Sequence, residues 1–436
     1  MLAYYLMLGL RSLRRAPALT ALMVVILAVG IAASMTSLTM LMALAGDPIP
    51  GKSDRLYTPR LDTRPLEGAD DLSTPDLQLT YADATNLMRS GFGMRRAVLY
   101  GIAPAVDRGS QAPPAERTPG IATTGELFTM LDVPFREGAA WSVNDDARGA
   151  DVAVIGTDLA RRLFGDDPAV GQRLRVDERE YTVSGVIGNW APTPKFYRVY
   201  GSSVTSAPEQ LWIPFNNALG RSYRNEGWTS CDGAEQGYDF QSFLDSNCTW
   251  VQYWVELASA GDADGFRDHV SAYVAQQKAL GRMPRPDNSK VLDVRGVLAD
   301  IGVVGNDTRM ATWVAFGFLC VCLVNLMALM LAKFTARQGE IGVRRALGAR
   351  RRDIFAQYLV EAGVIGAAGA AAGAALALYG VQLLGQGLAD SPTFYRMDTR
   401  LLAATVALSL LCALVAGLLP TWRAASVRPA IQLKSQ

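Results

Sequence analysis

Residues Gly46 to Ser53 read GDPIPGKS and fit the pattern G-x-x-x-x-G-K-[ST]. A glycine-rich loop of this kind aims backbone N–H groups at phosphate and adds a lysine to neutralise it, provided a strand runs in and a helix runs out. The surroundings here are different. The preceding run, Ala16 to Gly46, is apolar and free of charge, and the following DRLYTPRLDTRPLEG contains Pro59 and Pro65. Pro48 and Pro50 remove two of the N–H donors such a loop would use. The stretch is read as the exit from an apolar helix, not as a nucleotide site. Other reactive groups are sparse. His269 is the single histidine, so a multi-histidine metal site is excluded and only that residue could serve as a histidine base. No Ser/His/Asp set or pair of acids stands out, so no catalytic and no metal-binding residue is assigned. A net charge of +1 gives no reason to expect nucleic acid.

The elements around that stretch are mostly apolar, and half of the 436 residues are hydrophobic. Four segments, 16–46, 307–333, 354–384 and 401–422, are long enough to cross a bilayer core of about 30 Å, which takes about 20 apolar residues as a helix. The expected fold is a membrane protein of four transmembrane helices with a large mixed α+β domain, 47–306, between helices one and two. Arginines at 11, 14 and 15, the basic run from Lys333 to Arg352, and Arg423, Arg428 and Lys434 place both termini and the 334–353 loop in the cytoplasm. Residues 47–306 and the short 385–400 segment then lie outside. Residues 1–15 look like an interfacial amphipathic helix, and 423–436 form a tail. No span carries a charge at mid-depth, and Glu361 is expected at the interface, near the edge of span three. Gly363, Gly366, Gly369 and Gly373 give span three a small face. That face suits close helix packing, within the subunit or at a dimer interface.

In the outer domain, Asp151–Ile155 reads as a buried strand. A short helix follows, with Thr157 as N-cap and Gly165 as terminator. QRLRV and REYTVSGVIG flank a turn at Asp177–Glu178 and read as a hairpin. VQYWVEL alternates like a half-buried strand, and FRDHVSAYVAQQKALG reads as an amphipathic helix. Cys231 and Cys248 both fall in this domain, in an oxidising compartment, and are expected to form a disulfide, two free thiols being the alternative. The aromatics from Trp212 to Trp254 form either a binding surface or plain core.

The 334–353 loop is the most informative segment. RQGEIGVRRALG is charged and expected to be helical, with Glu340 and Arg344 one turn apart and an end near Gly348. The arginines would also serve as an anchor to anionic lipid. RQGEIGVRRALGARRRDI is similar to the loop of MacB/FtsX-type ABC transporter permeases, R-x-x-E-I-G-[IV]-R-[RK]-A-[LM]-G-A-x-x-x-[DQ]-I. The C-terminal run LLPTWRAASVRPAIQLK resembles that family's ending at Pro420, Ala424, Ala425, Pro429 and Leu433, with Thr421 where alanine is usual. GADVAVIGTDLARRLFGDDPAVGQRLRVDEREYTVSGVIG resembles the MacB-type periplasmic core.

The resemblance implies a permease subunit of the bacterial inner membrane, working as a dimer with a second copy or a paralogue. It implies a cytoplasmic ABC ATPase dimer on a separate polypeptide, which would hold the ATP and Mg; no cofactor is expected on this chain. Glu340, Ile341, Gly342, Arg344, Arg345, Ala346, Leu347, Gly348 and Arg352 match the coupling segment seated on that ATPase. A periplasmic adaptor and an outer-membrane channel are further expected partners. Two functions follow from the resemblance: export or extraction of a periplasmic substrate by mechanotransmission, or FtsX-like control of a periplasmic partner without transport.

Overall fold

The computed structural model describes residues 16–66, 76–109, 114–199, 206, 208–231 and 239–388, together with eight helical residues between 403 and 422. The expected helix over 1–15, the tail over 423–436, most of the short 385–400 segment and the rest of the fourth span lie outside the described residues. The chain begins with α1 (Pro17–Ala45). Then come β1 (Leu56–Arg60), β2 (Leu79–Thr80), α2 (Tyr81–Ser90), β3 (Arg95–Ile102), β4 (Ala105–Asp107), β5 (Glu116–Arg117), β6 (Gly120–Thr123), α3 (Glu126–Met130) and β7 (Phe135–Gly138). These are followed by α4 (Val143–Arg148), β8 (Val152–Gly156), α5 (Thr157–Phe164), β9 (Arg173–Val176), β10 (Arg179–Ile187), β11 (Leu211–Pro214), α6 (Phe215–Gly220) and α7 (Phe240–Asp245). The remainder is β12 (Thr249–Glu256), α8 (Ala263–Ala279), β13 (Lys290–Asp293), α9 (Val294–Asp300), α10 (Asn306–Thr335), α11 (Gln338–Ala346) and α12 (Arg351–Leu388). Residues 46–303 form one compact unit; α1, α10, α11 and α12 belong to a second.

The 46–303 unit is built on one sheet in the order β13-β1-β12-β3-β6-β11-β8-β10-β9-β4-β5, with β2 beside β12 and β7 beside β10. Its interior strands feed two cores, because successive side chains of a strand point to opposite faces. On β3, Val98, Tyr100 and Ile102 enter one core while Ala97 and Leu99 enter the other. On β11, Trp212 faces opposite to Leu211 and Ile213. β12 is buried at all its residues, not half-buried. It lies between β1 and β3, with α2 packed over one face and the Phe196 ring against Trp254 on the other. A strand with both faces covered shows no polar alternation.

The β9–β10 hairpin closes through Asp177, whose φ of 50° is one that Asp tolerates in a tight turn. α5 is capped differently from expectation. Gly156 is its N-cap and Thr157 its first helical residue, because the Thr157 hydroxyl donates to the Ile187 carbonyl of β10 at 2.7 Å. Its end is at Gly165. α8 buries Phe266, Val270 and Val274 on one stripe.

In the helical unit, α1, α10 and α12 are each long and apolar enough to cross a membrane. α1 packs against both α10 and α12. Lipid tails are as apolar as leucine, so association there depends on close contact, not on escape from water. Gly369 and Gly373 supply it. A Cβ on Gly369 would stand 2.6 Å from Leu27 Cδ2, and one on Gly373 would stand 2.9 Å from Ile31 Cβ.

Candidate functional site

The turn between α10 and α12 carries α11, and the side chains divide it into an anchored and a free face. Ile341 is buried with Phe334 of α10 and with Ile354 and Tyr358 of α12. The Phe334 and Tyr358 rings lie 4.4 Å apart. Arg344 Nη1 donates to Gln357 Oε1 at 3.0 Å, tying α11 to the second turn of α12. Glu340, Arg344, Ala346, Leu347 and Arg352 are exposed, and Gly342 is half-buried. Leu347 is 83% exposed and Val343 57%. The backbone of Arg345 lies within α11. Gly348 ends the segment at φ 99°, a conformation that favours glycine, and Ala349 N bonds the Arg344 carbonyl at 3.0 Å. The arrangement is a short helix held by a buried isoleucine and the Arg344–Gln357 bond, with Val343 and the following Leu347 exposed.

Behind this loop lies a charge pair that the sequence did not reveal. Glu361 is 1% exposed, and its Oε1 is 2.6 Å from Lys333 Nζ and 3.7 Å from Arg337 Nη1. Lys333, itself 2% exposed at its side chain, also reaches Thr20 Oγ1 of α1 at 3.4 Å. A long lysine near a helix end usually extends to the interface. Here it turns inward onto the carboxylate. The signal for the pair was an acid inside an apolar run, since such a charge is costly unless partnered.

The glycines of span three divide as well. Gly369 and Gly373 face α1, Gly363 lies near Leu414, and Gly366 is buried within α12. Cys231 and Cys248 are joined by a disulfide, S–S 2.07 Å. The aromatics nearby are chiefly core. Trp250 packs edge-on to Tyr100 at 4.9 Å and stacks with Phe243 at 5.1 Å, whereas Trp228 is 59% exposed.

GDPIPGKS does not form a phosphate cradle. A strand, β1, follows it, and Lys52 Nζ is turned into the domain. It donates to the Thr129 carbonyl at 2.9 Å and to Asp132 Oδ1 at 2.7 Å, with Glu256 at 3.8 Å. Asp47 accepts from Ser53 and from Arg295 at 3.1 Å. Burial pushes its carboxyl up, but these bonds outweigh it and hold Asp47 below the ordinary range. Arg295 lies on α9, and Arg60 of β1 pairs with Asp300 of the same helix. β1 and β13 are themselves paired from Tyr57–Asp293 to Arg60–Lys290. The segment entering the domain and the segment leaving it are therefore one clamped ladder.

Two further ionisable sites were missed. Glu209 is fully buried and accepts from Lys195 Nζ at 2.6 Å, Arg198 Nη1 at 3.0 Å and the Tyr197 hydroxyl at 2.9 Å. Burial would raise its carboxyl, but the two cations dominate and bring it to about 2. Asp146 accepts from Gly125 N and Trp141 Nε1, both at 2.6 Å. Its burial prevails over those bonds and lifts it to about 6.

Against this geometry, the comparisons with known proteins are specific. The MacB-like periplasmic core domain family matches residues 20–273, and the FtsX-like permease C-terminal family matches 313–429. The chain belongs to the MacB/FtsX-type family of ABC transporter permeases. This permease is 28% identical over 323 residues to the macrolide export ATP-binding/permease protein MacB of Azoarcus sp. (strain BH72), covering 74% of this chain and 43% of that one. It is 26% identical over 311 residues to the pyoverdine export ATP-binding/permease protein PvdT of Pseudomonas aeruginosa, covering 70% and 41%. The chain thus spans less than half the length of these relatives. The periplasmic region of MacB from Actinobacillus actinomycetemcomitans aligns at a TM-score of 0.37 and 12% identity, over 58% of this chain and 95% of that one.

Proposed function

We propose that this permease couples ATP hydrolysis by a cytoplasmic ABC ATPase to a shape change of the 46–303 domain on the periplasmic side, and so drives export. The observation that carries the reading is α11. Ile341 and the Arg344–Gln357 bond fix it to α10 and α12, while Val343 and Leu347 are exposed to a soluble partner. Exposed aliphatics suit the apolar centre of a protein groove, and the charged residues beside them suit its polar rim. In this reading ATP and Mg stay on the ATPase, and the permease acts as a dimer in the inner membrane with its loop in the cytoplasm. On the same reading, movement at α11 reaches the 46–303 domain through α1 and α10, the helices that precede and follow it in the chain. MacB and PvdT are named for export, of macrolides and of pyoverdine, and an export substrate of that small-molecule kind is assigned here, handed to a periplasmic adaptor and outer-membrane channel.

Affinity purification of the tagged chain in mild detergent tests this. An ATPase is expected to co-purify with wild type and to be lost, by at least about tenfold, when Arg344→Glu and Arg345→Glu are combined, since opposed charges at an interface cost several kcal/mol. Recovery of active ATPase with the double variant at the wild-type level would refute the assignment of α11.

A further inference from the structure

We infer that Glu361 is a positioning residue that carries movement of the loop to the membrane helices. The inference rests on the coupling reading of α11 but concerns a different part of the molecule. Three features single this carboxylate out. It is 1% exposed on a helix whose surroundings are otherwise apolar, so it is a charge whose presence requires partners. Two of its described partners come from different places. Lys333 belongs to the last turn of α10, and Arg337 lies in the link between α10 and α11. Lys333 in turn reaches Thr20 of α1, so one buried network touches α1, α10, α12 and the hinge of the loop.

The distances are unequal in an instructive way. Lys333 is seated on Glu361 at 2.6 Å, whereas Arg337 is 3.7 Å away and partly exposed. Displacement of α11 moves Arg337 toward or away from Glu361, because Arg337 directly precedes α11 and its carbonyl accepts from Ile341 N at 3.2 Å. Glu361 then shares its charge between the hinge and Lys333 in two different proportions. The grip on α10 and α1 tightens or loosens accordingly. Apolar packing alone could hold the helices together, but it offers no second arrangement of this kind. The pair therefore serves the coupling step beyond any structural role.

Hydrogen–deuterium exchange on the full chain, in complex with the ATPase captured by the purification above, separates the alternatives. In wild type, ATP with vanadate is expected to change exchange both in α11 and in the 46–60 and 290–303 segments. With Glu361→Gln, which keeps the side-chain volume, the change in α11 should persist and the change in 46–60 and 290–303 should be lost. The exchanged pair Lys333→Glu/Glu361→Lys should restore it. Should Glu361→Gln not fold, Lys333→Met/Glu361→Leu removes both charges and is expected to fold with the same loss. A wild-type response in 46–60 and 290–303 in any charge-free variant overturns the inference. If wild type itself shows no response in α11, it is the coupling reading that fails, and this inference falls with it.

Discussion

The two units of this chain solve the same problem, packing without voids, with opposite residue sets. The 46–303 domain fills both faces of its sheet with large side chains, Trp212, Trp250, Tyr100, Tyr181 and Phe266 among the most deeply buried. The helical unit closes its contacts with glycine, at Gly369 and Gly373 against Leu27 and Ile31. The difference follows from the solvent. Water drives large apolar groups inside at about 25 cal/mol per Å², whereas lipid supplies no such drive and rewards close approach. Both units also bury a glutamate on cations. In the domain Glu209 has two cations and a tyrosine, a satisfied cluster. In the helices, Glu361 has Lys333 at 2.6 Å and Arg337 at 3.7 Å among its described partners.

The sharpest way to break this comparison is to remove the domain's buried acid. Glu209→Ala removes the carboxylate that Lys195 and Arg198 share and is expected to cost about 3–5 kcal/mol, read as a lowered midpoint of tryptophan fluorescence in thermal unfolding of the whole chain. An unchanged midpoint would mean the cluster is not a stabilising one. Next in size, loss of the Cys231–Cys248 link, by Ser at both positions, should cost about 3 kcal/mol for a loop of this order. It should lower protection of β12 amides and leave those of α1 and α12 alone. A loss of protection in α1 would show that the effect of the link is not confined to the 46–303 unit. Smaller again, Gly373→Val overpacks the contact with Ile31 and should cost about 1–3 kcal/mol, visible as reduced yield of folded chain in detergent. Gly348→Ala, with nothing near its Cβ but a φ of 99°, should cost less, about 1 kcal/mol, and only locally at the end of α11.

The least effect is expected from Asp146. Its folded carboxyl titrates near 6, above the ordinary 3.8, so between those values the folded state holds a proton that the unfolded state has lost. Stability should therefore rise as pH falls from 7 through 6 toward 4, and the gain is absent at neutral pH. Asp146→Asn should flatten that slope in unfolding midpoints compared at pH 5 and pH 7. A slope unchanged by the substitution would assign the effect to another group.

How much of this was legible without coordinates differs by region. The hairpin at Asp177 and the stripe of α8 could be read directly, since turn chemistry and periodicity act within a few residues. α5 could be read except at its start, where a bond to Ile187, thirty residues on, took the Thr157 hydroxyl away from capping. β12 was misread as half-buried because its covering layers, α2 and the Phe196 loop, come from distant sequence.

The candidate site divides along the same line. The three spans within the described residues, the helical loop, the family motif and the poor context of GDPIPGKS are local properties of hydropathy, proline and charge, and the sequence by itself determined them. Tertiary structure alone decided where charges go. Lys52 turns to Asp132 and Glu256, Glu209 collects two cations, and Glu361 sinks onto Lys333. The reason is physical: a charge is placed by whichever partner the packing brings within about 4 Å in a medium of low dielectric, and that partner is chosen by the fold, not by its distance along the chain.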